Sequence, residues 1–179
     1  MAVIDEFSDG DLSSNNFHPS IINIKKSKNK KTQKIKIKAR VFNDLGDDDR
    51  LDKRDFFTFN VPKKMKLKSL RLNKYDNQSY GKNKGGGGWL GIAKGDYISD
   101  LNDPTVLIGG HLIGVAKGAS AGDQILDNLE QEFQFGEALV PALKPGQISG
   151  GKFTFWFQEG NFDTPNEAFV DYTMTFKFG

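Results

Sequence analysis

The chain of 179 residues and 19.9 kDa has the size of one domain, for which about 100–200 residues is usual, and this argues against a two-domain enzyme. Hydrophobic residues make up 37%, with 15 Phe among the aromatics, and charged residues 27% at a net charge of +2; with a mean hydropathy of -0.52 this supports one packed core in a soluble chain and excludes wholesale disorder. Zero Cys excludes disulfides, thiolate zinc sites, iron–sulfur clusters and cysteine nucleophiles, and the two histidines, His18 and His111, lie too far apart to form a metal motif.

Residues 1–16 are polar and rich in Asp, Ser, Asn and Gly, which predicts an extended acidic lead-in rather than a helix, before a single β-sandwich domain over 17–179. The start, MAVIDEFSDG, has no basic n-region and does not read as a signal peptide. Over 33–42, Ile35, Ile37, Ala39 and Val41 alternate with Lys34, Lys36, Lys38 and Arg40, which predicts a half-buried strand with one apolar and one cationic face. Phe56, Phe57, Phe59 and Val61 predict a second strand ended by Pro62, and Leu67, Leu70 and Leu72 a third.

The glycines at 85–88 lead into a strand through Trp89, Leu90 and Ile92, GDYISDLNDP reads as a loop, and residues 106–116 as a further strand. The uncharged run from Pro104 to Ala116 is 13 residues, short of the roughly 20 that a membrane-spanning helix needs. Ile125, Leu126 and Leu129 mark 123–131 as the one expected helix, about two turns long. Two strands close the chain, Phe153 to Gln158 and Phe169 to Phe178, the latter alternating Val170, Tyr172, Met174 and Phe176 with Asp171, Thr173, Thr175 and Lys177. Together these elements predict an all-β fold, an antiparallel jelly-roll-like β-sandwich of about eight strands with one short helix. Its expected core includes Ile35, Ile37, Phe57, Phe59, Leu70, Leu72, Ile92, Phe155 and Val170, with Trp156 packed among the phenylalanines.

The segments DEFSDGDLSS, DKRDFFTFNVP, LGIAKGD, AGDQILDNL and GGKFTFWFQEG, closing into VDYTMTF, occur in an order that resembles the bacterial pre-peptidase C-terminal domain, in the version common in cyanobacteria and other aquatic bacteria. The resemblance implies a jelly-roll sandwich, usually exported to the cell surface or beyond, without catalytic activity and serving in binding or adhesion. It also implies a calcium site built from an acidic N-terminal segment and an Asp-x-x-Asp, here Glu6, Asp9 and Asp11 with Asp52 and Asp55.

Calcium takes about 6–8 oxygen ligands, so the two acidic segments would have to converge, whereas acidic loops by themselves are ordinarily just solvated. Neither segment has the EF-hand pattern. Residues 1–84 carry 20 Lys/Arg against 11 Asp/Glu, and residues 85–179 carry 5 against 12; such a dipolar chain attracts polyanionic surfaces or a copy of itself. The alternating Lys34, Lys36 and Lys38 are candidates for binding a polyanion such as an acidic polysaccharide, or a solvated face that protects a sheet edge. Interleaved aromatics are lacking there, so specific nucleic-acid binding is not expected.

Tyr75, Tyr80, Trp89 and Tyr97 belong to or flank loops and are candidates for stacking on sugars. The glycine run opens a strand rather than a helix and so does not read as a phosphate loop, and Ser120 has no partner constellation of a nucleophile. The expectation is a non-enzymatic module for surface attachment or self-assembly, calcium-stabilised, with a carbohydrate-binding protein using loop aromatics as the alternative.

Overall fold

The computed structural model describes residues 1–25, 32–43, 54–79, 88–113, 121–135, 138–159 and 168–179. Among them the chain forms β1 (Ala2–Asp5), β2 (Ser20–Asn23), β3 (Gln33–Asn43), β4 (Arg54–Ser79), β5 (Gly88–Lys94), β6 (Leu107–Ile113), β7 (Phe133–Phe135), β8 (Ala138–Val140), β9 (Ser149–Glu159) and β10 (Ala168–Phe178). Two one-turn helices, α1 (Glu6–Asp9) and α2 (Leu126–Leu129), and a 3-10 turn at Pro104–Val106 complete the described elements.

The strands form two layers that share β4. One layer has the order β1-β3-β10-β4 and uses the second half of β4; the other has the order β2-β4-β9-β5-β6 and uses the first half. Aromatic rings close the space between the layers: Phe59 lies 4.7 Å from Phe176 and 5.1 Å from Phe178, Phe155 lies 5.2 Å from Phe176, and Phe157 stacks on Tyr172 at 3.9 Å. All nine expected core residues are buried, and so is Trp156. The all-β sandwich is therefore the architecture of the chain.

Three details differ from the expectation. The lead-in is not merely extended: β1 pairs in parallel with β3, and α1 follows at once. With β2, which pairs in parallel with β4, this makes the sheet mixed, although every other strand pairing among the described residues is antiparallel. Pro62 does not end a strand. It falls where β4 leaves β9, after Val61 opposite Gly151 and before Lys66 opposite Ser149, so its missing N–H removes no ladder bond. Gly150, at φ +54, lets the chains cross there, because a Cβ on it would stand 3.0 Å from the Lys63 Cα. Finally, the expected two-turn helix is the single turn α2, since Gln124 bridges to Arg71 and Ile125 N–H bonds to the Leu70 carbonyl.

The layer containing β9 is buried on both faces. Its outer face carries a second apolar cluster of Phe56, Trp89, Ala93, Ile98, Leu107, Val140 and Trp156. Gly110 makes room for it, since a Cβ there would lie 2.6 Å from the Trp89 ring.

Candidate functional site

Alternation along β4 sends Asp55, Phe57 and Phe59 to the same side of the strand, so Asp55 is carried to the end of the inter-layer core and is fully buried. Its Oδ2 accepts a 2.7 Å hydrogen bond from the Tyr172 hydroxyl on the opposite layer. The lead-in brings two more carboxylates to this place: ligand oxygens of Glu6, Asp11 and Asp55 all lie within 4.8 Å of one another. Glu6 is anchored by the N–H groups of Arg40, 2.7 Å, and Leu12, 3.4 Å. Three of the five acids singled out from the sequence thus meet, across two segments far apart in the chain. Asp9 does not join them, because its carboxylate accepts from the Asp5 N–H at 2.9 Å. Asp52 lies outside the described residues.

Three carboxylates so close repel one another, and a cation among them offsets that repulsion. The donors are all oxygen, which suits a hard cation such as calcium and no soft one. Glu6 and Asp11 from the lead-in and Asp55 from β4 are the residues that would hold it, with carbonyls or water needed to complete about 6–8 ligands.

The outer face of the other layer sorts its charges by row. Lys34 stands directly opposite Lys177, which stands opposite Ser69; Lys36 faces Thr175 and then Arg71. At the far end the row is Arg40, Asp171, Asp76. There Arg40 Nε lies 2.5 Å from Asp171 and Lys74 lies 3.3 Å from it. Burial pushes the Asp171 carboxyl up, but the hydrogen bonds and charges of Arg40 and Lys74 outweigh it and hold the group below the ordinary carboxylate range. The hydrogen bond to Asp171 in turn outweighs burial to raise the Arg40 guanidinium, helped by the charges of Asp171, Glu6 and Asp76.

Lys38, expected to share the anion-binding role, is instead paired with Asp5 at 2.6 Å. Lys34, Lys36 and Lys177 have no acid partner among the described residues, and with Arg71, Ser69, Asn73 and Thr175 they line a shallow cup of about 450 Å³. Lys177 and Arg71 were not legible as site residues, because only the strand register brings them beside Lys34 and Lys36. Cations crowd further along β4, where the charge of neighbouring Lys66, with smaller parts from burial and Lys177, holds Lys68 below the ordinary lysine range.

Of the aromatic candidates, Trp89 is a correction: it is buried against Trp156 and Phe133 and has no face for a sugar. Tyr75 is half-buried and packs on the main core. Tyr80 lies outside the described residues. Tyr97 is exposed and sits 5.9 Å from the exposed Phe17, a partner that its isolated position just after the polar lead-in gave no reason to expect. The class defined by these features is an all-β sandwich with an acidic cluster at one end of its core and a cationic outer face. No family model, no curated protein and no solved structure matches the chain.

Proposed function

We propose that the protein is a non-enzymatic attachment module that binds an acidic polysaccharide on the cationic cup, with a structural calcium ion fastening the lead-in to the sandwich. The observation that carries this reading is the placement of Lys34 directly opposite Lys177 with no acid between them. Like charges directly opposite in a sheet destabilise it, and a bound anion removes that penalty. Hydroxyl and amide groups of Ser69, Thr175 and Asn73 in the same cup suit sugar hydroxyls. The meeting of Glu6, Asp11 and Asp55 supports the calcium part and a kinship with the pre-peptidase C-terminal domain. Such a module belongs at a cell surface or outside the cell.

The test is heparin binding by the parent and by a Lys34→Gln, Lys36→Gln, Lys177→Gln variant. At about 1 kcal/mol for each cation near an anionic surface, the variant is expected to bind about a hundred-fold more weakly at low salt. Its melting point should be unchanged or slightly raised. Equal affinity in parent and variant at about 0.05 M salt, where screening is weak, would overturn the reading.

The exposed Phe17 and Tyr97 favour a second reading, recognition of a neutral sugar by stacking. A glycan array separates the two: binding of neutral glycans that Tyr97→Ala abolishes would support the stacking site, and binding of sulfated or carboxylated glycans alone would support the cup.

A further inference from the structure

We propose that the groove between β1 and β2 binds a single-chain anionic amphiphile, a free fatty carboxylate of medium chain length. β1 is the terminal strand of one layer and β2 of the other, so the sandwich is open between them. The opposite side of the β1 layer is closed, since residues 122–125 hydrogen-bond to β4 at Leu70 and Leu72. The opening is a groove of about 620 Å³, within the roughly 300–1,000 Å³ typical of small-molecule sites.

Its walls include Ala2 and Ile4 from β1, Ile21 from β2 and Ile35 from β3, and Lys25 and Lys34 line the same groove with no acid among its described lining residues. Ile21 is 62% exposed, an apolar surface left facing water beside the groove. Apolar walls with two ammonium groups and no carboxylate are complementary to a hydrocarbon chain ending in an anion. Two other occupants fit less well. The connection from Lys25 to Thr32 reads Lys-Ser-Lys-Asn-Lys-Lys over residues 26–31 and offers no apolar side chain. A second copy placed on the same groove would set lysine against lysine.

The probe is decanoate, titrated calorimetrically as monomer into the full chain, beside octanoate, neutral decanol and phosphatidylcholine vesicles containing oleate. Saturable decanoate binding is expected, weakened roughly ten-fold for octanoate, which buries two methylenes fewer. A Lys25→Gln, Lys34→Gln variant should lose at least about ten-fold in decanoate affinity while its decanol affinity is unchanged, since only the charged end has lost its partner. Ala2→Trp, on an exposed edge strand, should fill the groove and abolish both without shifting the melting point. Decanoate binding that Ala2→Trp leaves intact would overturn the proposal. So would the absence of saturable binding, association with vesicles alone, or a dimer seen by light scattering that Ala2→Trp dissociates while decanoate has no effect.

Discussion

Asp171 shows how one residue organises the balanced end of the cationic face. Arg40 and Lys74 both reach it from neighbouring strands, and against the upward push of burial their hydrogen bonds and charges hold its carboxyl below the ordinary range in the folded state. In the unfolded chain the same carboxyl returns to about 4. As pH falls, the unfolded state therefore takes up the proton first, so the stabilisation is whole above about pH 4 and disappears as pH drops through the lower folded value. Asp171→Asn should be less stable than the parent at pH 7 by about 0.5–1 kcal/mol, the worth of a partly solvent-screened pair. The gap should close as pH falls through the carboxyl's lowered folded value. Urea unfolding at several pH values measures it, and a gap independent of pH would refute the assignment. At this scale the acidic candidates were legible only as a set, because the choice of Glu6, Asp11 and Asp55 over Asp9 depends on where α1 turns.

Strands with one solvated face announce themselves and strands buried on both faces do not. β3 and β10 alternate cleanly because their outer sides carry Lys, Arg, Thr and Asp. In β9 and the first half of β4 both sides are apolar, so Phe56 and Phe57, or Phe155, Trp156 and Phe157, stand in unbroken runs that hide the second core behind them. The short strands β1 and β2 carry too few residues to show a period, and β4 continues past Pro62 for a tertiary reason, its transfer from β9 to β10. The hidden cluster also explains Gly110, which faces Trp89 across the β5–β6 pair. Gly110→Ala should cost about 1–3 kcal/mol through overpacking. Combined with Trp89→Leu, which removes the clashing ring, its cost should fall well below the sum of the two single changes. Chemical denaturation of all four proteins provides the cycle, and strict additivity would show that the ring and the glycine are not coupled.

For the molecule as a whole, the carboxylate cluster lies where the lead-in meets both layers: Glu6 and Asp11 come from the lead-in, Asp55 from β4, and Tyr172 of β10 donates to Asp55. A calcium ion held there by the folded chain alone would stabilise it by about 2.7 kcal/mol at a hundred times its Kd, raising the melting point by about 5–10 °C. Asp55→Asn should abolish the rise, and a parent melting point unmoved by calcium at millimolar concentration would reject the metal. The position of β10 has a different consequence, for the order of events during synthesis. β10 lies between β3 and the second half of β4, paired along eleven residues with β3. A ribosome that has made everything up to residue 167 has therefore produced two strands with no partner between them and a half-built core of exposed phenylalanines. This layer assembles only after residue 178 has emerged, so until then the facing edges of β3 and β4 stay open to mispairing.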